Sequence, residues 1–378
     1  MKKFRVALIL FIYYVFIAAA NTLLGPIVPI LRKTYKLEYS QISYIASMSY
    51  FGGFLSFIGG ILVSYVGYYN LILFSTGMIF LGLSGFPSVI PSFLMYFLYF
   101  LIGLGTGFFE IAVNPIIGFA YKEKKGMVLN LVHIGWNIGA FLGPALIALT
   151  SVYRLNYLIP YYIISLCLLG LVSLLFTARK EIGGIMPEED PSTKIFMEKD
   201  TAKKFFVISL IMFLYLGIEQ AINVWLPSLL YENNSPKIIV EISLGLFWIS
   251  LGIGRMIWSI FVDKIGFRKA IGISSILAFL FLVLGVFERS QLNIFYWIIV
   301  GFLFAPMFPT IYGLCIETCK KHIGIFSGLL FSIGILGSFT YSLLIGFFSS
   351  MFSLYISFLI VLVSPVFILI LLFIEKRL

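Results

Sequence analysis

Charged side chains are scarce in this sequence: Asp, Glu, Lys and Arg together make up 11% of 378 residues. A soluble domain carries about a quarter, so a water-facing surface of ordinary extent is excluded. Cysteine is equally sparse. The three present, Cys167, Cys315 and Cys319, lie within or at the ends of apolar runs, which excludes a disulfide framework. With only two histidines, the nearest approach to a metal site is Cys315, Cys319 and His322, and no metal or other cofactor is expected. No span pairs a nucleophile with a base at helical spacing, so an enzyme is not expected either.

Apolar residues are what the chain has in excess, at 61% of the sequence, with 18% aromatic and a mean hydropathy of +1.07. One buried core cannot account for this, because even a large globular domain needs polar residues over most of its outside. The solvent for most of the chain is therefore lipid. A hydrocarbon layer about 30 Å thick takes roughly 20 apolar residues per helical span. Apolar runs at 6–31, 41–66, 69–90, 92–121, 126–150, 156–178, 205–230, 238–262, 267–287, 290–318, 321–347 and 350–374 predict twelve spans.

The net charge of +10 is spread over short loops rather than one face, which points to membrane orientation and not to nucleic acid. Alternate loops hold 19 and six of the 26 Lys and Arg, with Arg255 inside a span. That bias puts both termini in the cytoplasm of a multi-pass plasma-membrane protein. Lys2-Lys3-Phe4-Arg5 followed by Ala18-Ala19-Ala20 has the outline of a signal peptide, but apolar sequence continues to Leu31 and favours a retained span.

One long connection, 179–204, carries Gly183, Gly184, Pro187, Pro191 and the cluster Glu188-Glu189-Asp190, and reads as a solvated linker. It divides the chain into residues 1–178 and 205–378, six spans each. The halves echo one another: Pro115 with Pro309, Gly118 with Gly313 and Gly143 with Gly337 recur at an offset of 194 or 195. The expected fold is all-α, two six-helix bundles related by a parallel pseudo-twofold repeat, the arrangement of major facilitator transporters. Asp263-Lys264-Ile265-Gly266-Phe267-Arg268-Lys269 resembles the facilitator loop between spans. Its Asp263, Lys264, Gly266 and Arg268 are gating candidates, while the first-half counterpart has Ser64 and Tyr65 where the acid and base would be.

Ionisable groups deep in a bilayer are costly and face a cavity or a partner. Glu110 and Glu219 lie roughly 18 and 22 Å from the nearest flanking lysines at 1.5 Å per residue, so both are deep. Helical spacing gives Glu110 a neighbour in Asn114, and gives Glu219 neighbours in Tyr215 and Asn223 with Gln220 adjacent. Asn130, His133 and Asn137 mark one face of span 5. These stripes imply a wet path. Glu110 and Glu219 are the proton-coupling candidates, with His133 able to share the proton. Asn21, Asn114, Asn130, Asn137, Gln220 and Asn223 offer hydroxyl-matching groups, and Trp136 or Trp225 a surface for stacking. Helix-to-helix hydrogen bonding is the competing role for the amides. Arg255 reads as a structural or gating charge that snorkels or pairs with Glu317. Pro306 and Pro309 are expected to bend span 10, and Asn233-Asn234-Ser235 is a glycosylation sequon on an outer loop.

The stretch Gly103-Leu-Gly105-Thr-Gly107-Phe-Phe-Glu110-Ile-Ala-Val-Asn114-Pro115, with Leu129-Asn130-Leu131-Val132-His133 and Gly139-Ala-Phe-Leu-Gly143-Pro144, resembles spans 4 and 5 of the fucose permease-like facilitators. Tyr215-Leu-Gly217-Ile-Glu219 with Trp225, Gly254-Arg255 and Phe308-Pro309-Thr310-Ile311-Tyr312 extend the likeness to the second half, and bring Tyr312 among the binding candidates. The resemblance implies uptake of a small neutral sugar with protons, Glu110 being a proton or sugar site. Asn21 departs from it, standing where the fucose permease has an aspartate, and Val128 replaces an arginine that often precedes the Leu-Asn of span 5. The expected function is alternating-access transport of a small polar solute by a monomer whose halves rock about a midplane site, with H+ as coupling ion. An exporter of lipophilic or cationic compounds, an uncoupled facilitator and a non-transporting membrane sensor are the alternatives.

Overall fold

The computed structural model describes residues 2–121, 125–184, 199–290, 292–319 and 323–377. Within them the chain is helical, without strands. Contacts divide it into two units, Met1–Leu37 with Tyr44–Glu189, and Glu38–Ser43 with Asp190–Leu378. The helices up to the linker are α1 (Lys2–Thr22), α2 (Leu24–Tyr35), α3 (Tyr39–Phe54), α4 (Phe57–Gly85), α5 (Leu94–Ala120), α6 (Lys125–Val152), α7 (Ile159–Thr177) and α8 (Arg179–Gly183). Those after it are α9 (Lys199–Glu232), α10 (Lys237–Ile265), α11 (Phe267–Phe287), α12 (Asn293–Phe304), α13 (Met307–Thr318), α14 (Ile323–Met351), α15 (Leu354–Ser357) and α16 (Leu359–Arg377). The first turn of α3 goes with the second unit although it precedes the linker.

Among the described residues, eleven helical stretches are long and apolar enough to cross a bilayer. The difference from twelve lies at residues 41–90. The expected second span is interrupted at Leu55-Ser56, which leaves α3 with 16 residues. Its remainder continues as α4 through the expected loop, where Gly67 alone departs from helical geometry (φ 75°, ψ 162°). Span 10 is broken as expected, between α12 and α13 at Ala305-Pro306.

Helix pairs approach closely where glycine removes the side chain. A Cβ added at Gly139 of α6 would fall on the carbonyl oxygen of Val15 in α1, and one added at Gly337 of α14 would fall on that of Phe213 in α9. Gly103 meets the carbonyl of Ser49 in the same way, and Gly301 that of Phe247. Every member of these pairs lies 198 residues from its counterpart. Gly67 and Gly266, both at positive φ and extended ψ, mark equivalent turns one residue further apart. The repeat register is therefore 198 to 199, not the 194 to 195 read from the sequence. The four-residue discrepancy is about one helical turn, which brings like residues back to the same face and makes the wrong register look right.

Serial glycine contacts of this kind replace hydrophobic burial as the means of holding helices together in lipid. Substituting Gly139 or Gly337 by Ala should therefore overpack a backbone contact, at a cost of about 1–3 kcal/mol. We expect a lowered thermal midpoint for each variant in detergent, whereas Gly170→Ala, which adds its Cβ to open space, leaves the midpoint unchanged or raises it.

Candidate functional site

In the first unit the deep polar residues converge on the seam between α1 and α5. The Tyr14 hydroxyl donates to Glu110 Oε2 at 2.7 Å, and its oxygen lies 3.4 Å from His133 Nε2 on α6. One helical turn back along α5, Thr106 Oγ1 accepts from Asn21 Nδ2 at 2.9 Å, and the same Asn21 amide donates to the carbonyl of Ile17. Tyr14 and Asn21 are seven apart on α1, Glu110 and Thr106 four apart on α5, so each pair shares a face and the rungs run antiparallel. The Tyr14 ring is held edge-on to Phe109 at 5.0 Å, against the His133 imidazole at 4.7 Å and edge-on to Trp136 at 6.4 Å. Among the described residues Glu110 forms no ion pair.

In the second unit the deep polar residues gather at a different seam, between α9 and α10. Tyr215, Glu219 and Asn223 follow one another at four-residue steps along α9 and are buried. The Tyr215 hydroxyl donates to Glu219 Oε2, and Gln220 Nε2 approaches Oε1 at 3.4 Å. Across the seam Arg255 sets its positive charge against Glu219 and near Tyr215, while Trp248 Nε1 donates to Asn223 Oδ1 at 3.0 Å. Arg255 therefore faces Glu219, not Glu317. Glu317 lies near Arg268, whose guanidinium grips the fully buried carboxylate of Glu375 through two bonds of 2.7 Å. That fork ties the start of α11 to the end of α16.

The remaining candidates are distributed as follows. Asn137 is 4% exposed and its Oδ1 has no hydrogen-bond partner among the described residues. Asn114 is exposed one turn beyond Glu110, and Tyr312 is half-buried with its ring stacked on Phe308. Trp136 stays half-exposed beside Tyr14, but Trp225 is fully buried and edge-on to Tyr39 at 5.6 Å, so packing already covers its ring. Lys264 is exposed and Gly266 supplies the turn, while the side chains of Asn130 and Asp263 and the residue His322 lie outside the described residues. The sequon is occupied differently. Asn233 Nδ2 points at the Glu288 carbonyl, and its Oδ1 accepts from Arg289 and from Tyr355, closing a clip between the ends of α9, α11 and α15.

Tyr14, Thr106 and Trp248 were not singled out by the sequence. A hydroxyl or indole N–H inside an apolar run needs a partner, which is a signal, but it names no partner. Across the 198-residue register Asn21 corresponds to Glu219, and Glu110 to Phe308. Each unit thus keeps one deep carboxyl, at positions that are not equivalent.

Residues 10–228 and 208–377 match the family model of the Major Facilitator Superfamily. The chain belongs to that family. It is a multi-pass integral membrane transporter and not an enzyme. It is 22% identical over 340 residues to the glucose/mannose transporter GlcP of Bacillus subtilis strain 168, covering 85% of this chain and 82% of that one. It is 23% identical over 375 residues to a glucose/galactose transporter of Brucella abortus biovar 1 strain 9-941, covering 93% and 88%. Its fold is that of a crystal structure of the E. coli fucose:proton symporter FucP, at 17% identity and a TM-score of 0.66, with 99% of both chains covered.

The two carboxyls differ in how their charge is met. Removing one member of a buried pair strands the other, so Arg255→Gln should lower the thermal midpoint more than Arg255→Gln combined with Glu219→Gln. Equal losses in the single and double variants would show that the two charges do not interact.

Proposed function

We propose that this transporter moves a neutral hexose into the cell together with protons, by alternating access. The observation that carries the reading is Glu110, a deep carboxyl bonded to a phenol and, among the described residues of its own unit, left without a counter-charge. A group so placed can gain and lose a proton with a change of net charge, which biases one conformation over another. Glu219, by contrast, faces the positive charge of Arg255. We therefore assign coupling to Glu110 with His133 as its neighbour, and solute binding to amides and hydroxyls: Asn21, Asn114, Asn130 and Asn137 with the Trp136 face in the first unit, and Gln220, Asn223 and Tyr312 in the second. The likeness to glucose/mannose and glucose/galactose transporters supports the solute class, and that to the fucose:proton symporter supports the coupling ion.

On this reading residues 1–178 and 205–378 are the two moving halves, 179–204 the cytoplasmic linker, and the protein is a monomer of the plasma membrane with both termini inside. Asn21 favours one second reading. With an amide where the fucose permease has an acid, and with that amide tied to Thr106, the chain would be an uncoupled facilitator. Proteoliposomes given labelled D-glucose or D-galactose separate the two: a symporter accumulates sugar only under an inward proton gradient, a facilitator equilibrates with or without it. In Glu110→Gln, accumulation should drop to the equilibrium level while exchange of internal for external sugar stays within about twofold of the unsubstituted protein.

A further inference from the structure

Coupling at Glu110 leaves open how the proton is held, and the Tyr14 oxygen lies between two bases. It donates to Glu110 Oε2 at 2.7 Å and stands 3.4 Å from His133 Nε2. The phenol oxygen thus touches both the carboxyl and the imidazole, and its ring is fixed between Phe109, His133 and Trp136. We propose that Tyr14 is the positioning residue that joins Glu110 and His133 into a single site for one exchangeable proton. This rests on the reading of Glu110 as the coupling group.

In the transfer, the Nε2–H bond of the imidazolium breaks and a new O–H bond forms on Tyr14, as the hydroxyl proton of Tyr14 passes to Glu110 Oε2. Imidazolium and carboxylate become imidazole and carboxylic acid, the phenol is regenerated, and no net charge has moved out of the site. The loaded site is neutral in either arrangement, and the empty one carries a single negative charge. The proton can thus enter at one base and leave from the other.

From α1 the neighbouring Tyr13 lies beside Thr76 and Tyr69 of α4, and its hydroxyl has no hydrogen-bond partner among the described residues. Among the described residues, the titratable group that α6 turns to the site is His133, and the one from α5 is Glu110. Arg255 and Glu219, the other deep ionisable pair, belong to the second unit.

Infrared difference spectroscopy of the reconstituted protein between acid and alkaline pH reads this site without needing its solute. The carboxylic acid band that vanishes in Glu110→Gln reports the proton. If Tyr14 is the joint, Tyr14→Phe and His133→Gln each move the pH midpoint of that band by about one unit, a tenfold change in proton affinity. The double variant moves it no further than Tyr14→Phe alone, because the link is already cut. Tyr13→Phe serves as the control for losing a hydroxyl from α1 and leaves the midpoint in place. An unmoved midpoint in Tyr14→Phe, or shifts of Tyr14→Phe and His133→Gln that add in full, would overturn the proposal. Should Tyr14→Phe fail to fold, an unmoved midpoint in His133→Gln overturns it equally. Sugar uptake is scored separately: if the protein carries neither D-glucose nor D-galactose, the hexose reading fails while the infrared midpoints still decide the role of Tyr14.

Discussion

A carboxyl group on a helix that faces hydrocarbon has no water to turn to, so each of its lone pairs has to be met by another part of the protein. Much of the arrangement seen here follows from that constraint. Glu110 and Glu219 are each met first by a tyrosine hydroxyl, a donor that brings an apolar ring with it and so fits an apolar bundle. Tyr215 lies on the same helix as its glutamate, one turn away, whereas Tyr14 reaches Glu110 from a helix 96 residues distant. The close packing of α1 against α6 and of α9 against α14, by glycine on backbone carbonyl, holds the polar seams in place.

Two halves of one repeat solve the problem of the buried acid differently. In the second unit the carboxyl faces a guanidinium on the adjacent helix. In the first unit the carboxyl has a phenol beside it and an imidazole beyond, neither of them a permanent charge. Position 21, where the repeat would put the counterpart of Glu219, holds an amide that donates to Thr106. A coupled transporter needs both kinds of group: fixed polar sites that recognise hydroxyls, and one whose charge changes with the proton it carries. The repeat has diverged so that its two acids stand in different surroundings.

Arg268 shows how a motif read along the chain is used otherwise in space. The loop from Asp263 to Lys269 looks like a cytoplasmic lock, yet its Arg268 grips Glu375 within the same unit and so fastens the last helix. The sequon is a similar case, since the Asn233 side chain is part of a clip with Arg289 and Tyr355. In both, a motif residue is bonded to a partner more than 50 positions away, which the motif does not name.

Hydropathy and helical period are properties of short stretches, so the sequence by itself determined the class of fold and, residues 41–90 apart, the approximate spans. It also determined that Glu219, Tyr215 and Asn223 share a face, because a four-residue step is local. Partners on other helices were beyond it. Whether Tyr14 meets Glu110, whether Arg255 faces Glu219 or Glu317, and whether the repeat runs at 194 or 198 depend on how far each helix is turned and slid against the next. A shift of one turn leaves the hydrophobic pattern of a helix almost unchanged while it exchanges every contact across the seam. That choice is made by backbone packing at Gly139, Gly337, Gly103 and Gly301, and only the tertiary structure records it.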